Sequence, residues 1–426
     1  MNFSNNDIPA QVFKLIQTLQ NKGFEGWIVG GAIRTLLLST IKGEAIASRG
    51  PYDWDITTNA TPTQVQEIFQ HTIETGVAYG TVTVVIDGMN IQVTTYRKES
   101  GYEDHRKPSD VSYCDNLEDD LSRRDFTMNA IAYDPNNQEF KDPFNGVQDI
   151  EQQLIKAVGN SNLRFKEDSL RILRAVRFQS QLGFLIEGET LKAMSQASPQ
   201  LETLSRERIF EEMSKWLVGD HFSMTRETAQ QINLKNLFSI PPESKLYEKW
   251  DLVGTISPTV LFRFSAFFDL YTGDQPIEIK LSNSLKLLTS LKCSQKIISK
   301  VTQFIEYLNK GYELEVTSER LLFLKQSLEI SFGEALLLIN WKLEGLQNKS
   351  LYLKAKDMLL RLQKSNFENQ VKPLAINGSR VMELLNLPQG PGIKVVLEKI
   401  ENWVLDHPDQ NKAEILESLL KNKSIT

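Results

Sequence analysis

The hydrophobic period of this chain changes once, and that change restricts the folds open to it. Through about residue 150 the strand signals are short: an unbroken apolar run from Trp27 to Val29, then the alternating Val82, Val84 and Ile86, then Ile91, Val93 and Thr95. Asp87-Gly88 joins the last two runs, which predicts a β-hairpin. Helical signals are interleaved with the strands. Val12, Ile16 and Leu19 space an amphipathic helix ending near Gly23, and Thr61-Pro62 opens another with a capping residue and a proline at its first position. From about Glu151 the two-residue period fades and 3.6-residue spacing takes over, including segments 168–181, 321–328, 335–346 and 351–362. The expected fold class is therefore α+β, a small mixed α/β head over residues 1–150 followed by an all-helical neck (151–218), body (219–370) and tail (371–426). Plausible joints fall near Gly219, Pro241-Pro242, Gly311 and Pro373.

The chain has 426 residues, 41% hydrophobic and 24% charged, enough to build several cores. No apolar run is long enough to span a membrane, and the first eleven residues lack the basic and apolar parts of a signal peptide, so the cytoplasm is the expected location. Cys114 and Cys293 are the sole cysteines, which excludes a disulfide framework and a paired-cysteine zinc site. A net charge of −6 and a pI near 5.5 argue against broad, salt-driven coating of nucleic acid, so any RNA site must be local.

Tyr52-Asp53-Trp54-Asp55-Ile56-Thr57 places two carboxylates two residues apart in a strand-like context, so both leave on one face. Hard carboxylate oxygens suit Mg²⁺, and ions there could activate a hydroxyl and neutralise a triphosphate during in-line nucleotidyl transfer. An isolated pair of this kind is usually an accident, so context decides. Upstream, Gly30-Gly31 precede a helix bearing Arg34, where bare N–H groups and the helix N-terminus attract phosphate, although alone such glycines usually make a tight turn. Downstream, Arg123-Arg124-Asp125 leads into an apolar run, and by charge alone reads as a solvated helix end.

In order along the chain come GGAIR at 30–34, DWD at 53–55, ETGVAYGTV at 74–82, TTYR at 94–97, RRDFTMNA at 123–130, DPFNGVQDI at 142–150 and EDSLRILRAVRFQSQLGF at 167–184. This ordered set resembles the class II CCA-adding enzyme and bacterial poly(A) polymerase family. The likeness covers roughly residues 25–215, through Ser205-Arg206-Glu207-Arg208-Ile209. It returns more weakly at Ile376-Asn377-Gly378 and Gly390-Pro391-Gly392. It implies a tRNA nucleotidyltransferase that adds C and A to the tRNA 3′ end from CTP and ATP, using Mg²⁺. It further implies Asp53 and Asp55 as metal ligands, Gly31 and Arg34 as triphosphate contacts, and Arg124 with Asp125 near phosphate and ribose. Asp168, Arg171, Arg174 and Arg177 are implied as the nucleotide-reading set.

The reading set also has a physical case. Asp168 and Arg171, at i and i+3 of a helix, lie about 5 to 6 Å apart at Cβ. Cytosine and adenine each present an exocyclic amine beside a ring-nitrogen acceptor, which a carboxylate and a guanidinium match, whereas guanine and uracil reverse that order. The bland alternative is a surface salt bridge with Arg174 and Arg177 on a solvated stripe. Three-residue steps drift around a helix, so base reading goes to Asp168 and Arg171, with phosphate or structural roles for the other two.

Two positions depart from the family's pattern: Thr35 stands where an aspartate usually follows the arginine, and Gln92 where a glutamate is typical. An amide cannot supply a third negative charge. The polar stretch 43–50 reads as an inserted exposed loop. Residues 97–121 resemble the flexible loop of full CCA-adding and A-adding enzymes. No basic run closes the chain, which weighs against poly(A) synthesis, and no histidine is followed by aspartate, which weighs against an appended phosphohydrolase. Full CCA addition, A-only addition and an inactive tRNA-binding regulator remain open to the residues alone.

Overall fold

The computed structural model describes residues 7–43, 53–103, 107–242, 244–255, 259–273, 275–309, 374–386, 388, 390–406 and 410–421. The helices expected at 321–328, 335–346 and 351–362, the joints at Gly311 and Pro373, and the stretch 44–50 lie outside the described residues. The chain divides into two compact units, one of residues 1–254, 258–274 and 282–295, the other of 255–257, 275–281 and 296–426.

The first unit opens with α1 (Ala10–Asn21), β1 (Trp27–Val29), α2 (Gly31–Lys42), β2 (Asp55–Thr58) and α3 (Pro62–Ile68). β3 (Thr72–Gly76), β4 (Thr81–Ile86) and β5 (Met89–Thr95) follow. α1 buries Val12, Leu15, Ile16 and Leu19, the stripe its spacing dictates. Each such side chain contributes roughly 1.5–3 kcal/mol when fully removed from water. Thr61 and Gln64 close a reciprocal capping box at the start of α3, behind Pro62.

A seven-stranded sheet runs in the order β3-β4-β5-β2-β1-β8-β9, where β8 is Ala132–Asp134 and β9 is Glu139–Lys141. β2 lies in its middle, parallel to β5 and antiparallel to β1. The Asp87-Gly88 hairpin forms between β4 and β5 as its turn chemistry requires. Within the stretch that resembles the family's flexible loop, β6 (Arg97–Glu103) pairs antiparallel with β7 (Lys107–Tyr113), and α4 (Leu117–Ser122) follows. Its ladder is anchored where Cys114 N–H donates to Tyr96 O at 3.0 Å and Tyr96 N–H to Thr58 O at 2.7 Å. A mostly polar stretch thus pairs through its backbone, which apolar periodicity cannot register.

Beyond the sheet come α5 (Gly146–Glu151), α6 (Ser161–Glu167), α7 (Leu170–Leu182), α8 (Gly188–Ala197) and α9 (Arg206–Leu217). The neck is not wholly helical, because β10 (Leu154–Ile155) and β11 (Leu185–Ile186) form a short parallel pair. Two residues are too few to show a period. The helix expected from 168 starts at Leu170, since Asp168 is extended (φ −143°, ψ 102°) and ends α6.

The joint expected at Gly219 follows α9 and is pinned: Arg263 Nη1 donates to the carbonyls of Leu217 and Gly219, each at 2.7 Å. Trp216, Phe222, Trp250 and Phe267 pack there, with the Phe222 and Trp250 rings stacked at 5.0 Å. In the second unit, helices Gly378–Leu385, Pro391–Asp406 and Ala413–Lys421 share a core of Val381, Ile393, Ile400, Leu416 and Leu420. Asn377 caps the first of these through Arg380 N–H at 2.9 Å. Among the described residues there is no disulfide: Cys114 is half-buried and Cys293 buried. Among the described residues, no helix is long and apolar enough to cross a membrane.

Candidate active site

β1 delivers the chain into Gly30, whose left-handed φ of +72° precedes the first turn of α2. A Cβ at Gly30 would lie 3.5 Å from Arg124 Nη1 and 3.7 Å from Asp55 Oδ2, so this glycine sits between a cation and a carboxylate. No side chain caps α2, which leaves its first N–H groups available to an anion. Arg34, one turn in, donates to Asn129 Oδ1, and its guanidinium lies 4.8 Å from the Phe178 ring centroid. Burial lowers the Arg34 pKa to about 10 against the pull of Asp125, with Arg177 and Arg174 lowering it further. It stays a cation at neutral pH, and its Nε is buried without a partner. Thr35 Oγ1 donates back to Gly31 O at 2.8 Å, so the residue in the usual aspartate position does not hold Arg34.

Asp53 is exposed just ahead of β2, Trp54 is buried, and Asp55 begins the strand, so the two carboxylates share a face as their spacing requires. Among the described residues neither has an ion pair or a side-chain hydrogen bond, and no group of three or more His, Cys, Asp and Glu gathers as a metal cluster. Burial raises the Asp55 pKa, Arg124 opposes the rise and Asp53 adds to it. Gln92 pairs with Asp55 across the parallel ladder, so the amide stands beside the second carboxylate.

The Arg123-Arg124-Asp125 run is not a solvated helix end. Asp120, fully buried in α4, accepts from Arg123 Nε (3.0 Å) and Nη2 (2.7 Å), from Arg124 Nη2 (3.1 Å) and from Thr57 Oγ1 (3.1 Å). Burial pushes Asp120 up, but Arg124 and Arg123 outweigh it and hold the carboxylate below its ordinary range. This knot fastens both arginines to the strand that carries Asp55. Asp125 is also buried. Its Oδ1 accepts from Asn129 Nδ2 at 2.9 Å and Phe126 N–H at 2.8 Å, and its Oδ2 from Arg174 Nε at 2.8 Å and Nη2 at 2.6 Å. Desolvation alone would raise its pKa, but the Arg174 charge and these bonds hold it low.

Asp168 and Arg171 do not share one regular helix, because the extended backbone at Asp168 breaks α6 from α7. They remain one turn apart, Arg171 N–H donating to Asp168 O at 3.1 Å. Asp168 Oδ1 accepts from Leu170 N–H at 3.0 Å, and Oδ2 from Arg208 Nη2 of α9 at 2.8 Å. Arg171 Nη1 bonds Glu167 at 2.8 Å and Arg164 O at 3.1 Å, and Nη2 bonds Arg123 O at 2.8 Å. Arg174 and Arg177 are no solvated stripe either. Arg177 Nε approaches Glu212 Oε2 at 2.9 Å, and its guanidinium sits 4.4 Å from the Phe178 centroid.

All ten residues singled out from the sequence (Gly31, Arg34, Asp53, Asp55, Arg124, Asp125, Asp168, Arg171, Arg174 and Arg177) line one cavity of about 990 Å³. Its wall also includes Arg97, Asn129, Phe178 and Arg208, which the sequence reading left out of the site. Asp120 and Glu212 stand behind it as partners of its arginines. Asp120 was legible in principle, since it precedes Arg123 and Arg124 by three and four residues. Asn129 and Phe178 likewise stand four residues from Asp125 and Arg174, whereas Arg97, Arg208 and Glu212 are joined to the site only by the fold.

Residues 26–156 match the Poly A polymerase head domain family, residues 183–241 the family described as the probable RNA and SrmB-binding site of polymerase A, and residues 276–420 a putative tRNA nucleotidyltransferase domain 2. The chain is 36% identical over 415 residues to the CCA-adding enzyme of Staphylococcus epidermidis, covering 96% of this chain and 97% of that one. It is 45% identical over 311 residues to the CCA-adding enzyme of Lactobacillus helveticus, covering 65% of this chain and 75% of that one. Its fold superposes on the crystal structure of the Bacillus stearothermophilus CCA-adding enzyme in complex with CTP, with a TM-score of 0.68, 28% identity and 97% of each chain covered.

Proposed function

The chain belongs to the CCA-adding enzyme family, and from that premise we infer that it extends the 3′ end of tRNA with C and A from CTP and ATP without a nucleic-acid template. One observation carries this reading down to the residues: two open carboxylates, an uncapped helix N-terminus and an Asp–Arg pair surround a single cavity. Partner, substrates and reaction follow from the family. The cytoplasm is the matching location.

Members of this family generally use divalent metal ions, and we assign Mg²⁺ to Asp53 and Asp55. Two carboxylates suit an ion that keeps waters and takes substrate phosphate oxygens, and the neutral amide of Gln92 beside Asp55 adds no third charge. When bound, the ion neutralises triphosphate charge and activates the primer 3′-hydroxyl. The chain's own residues do the rest. The first N–H groups of α2 at Gly31, with Arg34, Arg124, Arg174 and Arg177, hold the triphosphate, and Asp125 keeps Arg174 aimed at it.

Asp168 and Arg171 read the base. Each Asp168 oxygen keeps a second lone pair for an exocyclic amine, and Arg171 keeps donors on Nε and Nη2 for a ring nitrogen. Guanine and uracil put donors and acceptors the wrong way round for this pair. We further propose that residues 1–150 do the chemistry and 151–218 the base reading, while 219–370 and 371–426 grip tRNA by shape and phosphate.

The test supplies purified protein and Mg²⁺ with tRNA ending before C74, after C75 or intact, with each labelled triphosphate separately and together. Completion of CCA on the shortest substrate is expected. Extension of the CC-ended substrate alone would mean A-only addition, and no incorporation would mean an inactive binding protein.

A further inference from the structure

The cavity accounts for the incoming nucleotide but not for the RNA end that must reach Asp53 and Asp55 from outside. Arg97 shares the cavity wall with those carboxylates, and two exposed aromatic residues attach to it. Arg97 Nη1 donates to the carbonyl of Tyr79, and Arg97 faces Tyr113 across the first rung of the β6–β7 hairpin. Between the tyrosines lies Gly80, in the left-handed region at φ +78°, where a Cβ would stand 3.1 Å from Tyr113 Cε1. A side chain at this φ would be strained and would push the Tyr113 ring back by a few tenths of an ångström, so Gly80, directly after Tyr79, suits the ring's place. Thr95 N–H holds Gly80 O at 2.9 Å and fixes the turn to β5. Despite this bracing, Tyr79 and Tyr113 remain 39% and 46% exposed.

We propose that Tyr79 and Tyr113, with Arg97, form a stacking platform for the unpaired 3′ end of the tRNA primer, a proposal that rests on the CCA-adding reading. A lone exposed tyrosine is ordinary. Two that bracket one glycine beside a cation at a nucleotide cavity have the make-up of a single-strand site, in which aromatic faces stack bases and an arginine meets the backbone. Stacking tolerates every base, and the primer needs that tolerance because its terminal base changes after each addition. Sequence choice stays with Asp168 and Arg171.

Steady-state addition is measured on tRNA ending before C74, varying primer and triphosphate in turn. Tyr113→Ala and Tyr79→Ala each raise primer KM by roughly tenfold or more. Triphosphate KM does not change, and Tyr113→Phe and Tyr79→Phe stay close to the parent protein. An unchanged primer KM in the alanine variants, or an equal loss in the phenylalanine variants, overturns the platform. Binding of a primer with 2-aminopurine as its 3′-terminal base gives a readout independent of turnover. Its fluorescence is quenched by the parent and phenylalanine proteins and restored in Tyr113→Ala, and no quenching by the parent also overturns the proposal. If the parent extends no tRNA, the CCA-adding reading falls, while the fluorescence still decides the platform.

Discussion

Around one cavity the chain treats its carboxylates in two opposite ways. Asp53 and Asp55 stand without an ion pair or side-chain hydrogen bond among the described residues, whereas Asp120, Asp125, Asp168 and Glu212 are all engaged by arginines. Burial acts on Asp55 in the first set and on Asp120 and Asp125 in the second. In Asp55 it wins and the carboxyl shifts up, whereas in Asp120 and Asp125 neighbouring guanidinium groups win and the carboxyls shift down. Charge kept open at a cost to folding is available to a ligand, and charge closed by a partner sets the direction of that partner.

Five experiments can break this division. Asp53→Ala or Asp55→Ala should lower kcat by roughly 10³-fold or more, since several kcal/mol of metal assistance is lost. Thermal melting should show no loss of stability in Asp55→Asn, because the parent pays to ionise that site. A melting loss matching that of a closed carboxylate would put Asp55 in the wrong set.

Asp120→Asn should act mainly on the fold, costing about 3–5 kcal/mol in denaturant unfolding, because two largely buried arginines lose their counter-charge. A stability change under about 1 kcal/mol would show that this knot is not closed in the sense used here.

Asp168→Ala should erase the preference for C and A, a change of roughly 10- to 100-fold in relative kcat/KM against UTP or GTP. Arg174→Ala should instead raise triphosphate KM while leaving base choice intact. Identical kinetic phenotypes would merge reader and phosphate holder into one role.

The last expected effect is a pH dependence that falls in acid. Asp125 has a folded-state pKa below its ordinary 3.8, so its contribution to stability is complete above that value and is lost as pH falls through the folded one. Asp125→Asn should therefore be less stable at pH 7 and lose less stability than the parent between about pH 4 and 2. Parallel stability curves for the two proteins would place Asp125 among the open groups.

Much of this contrast was written in local sequence. Asp53 and Asp55 are two apart on a strand, Gly30 precedes a helix, and Asp120 lies one turn before the arginines it holds, all spacings a reader can measure. The closing partners are another matter. Asp125 meets Arg174 across 49 positions and Asp168 meets Arg208 across 40, so only the packing of α7 on the head and of α9 on α7 brings them together. Reading 168–181 as one helix erred because the amphipathic stripe runs on through Asp168, while that residue's carboxylate bonds Leu170 N–H and its backbone is extended. The β6–β7 hairpin was invisible for a different reason. Its ladder is a backbone property, and its side chains carry no alternation to betray it.

The central place of β2 also bears on how chains of this kind change in length over time. Hydrogen-bonded to β1 on one side and β5 on the other, the strand cannot slip by one residue without turning Asp55 to the opposite face and unpairing both ladders. Residues gained or lost ahead of Asp53 therefore leave the register behind them untouched. A single residue inserted within β2 would turn Asp55 away from the face it shares with Asp53.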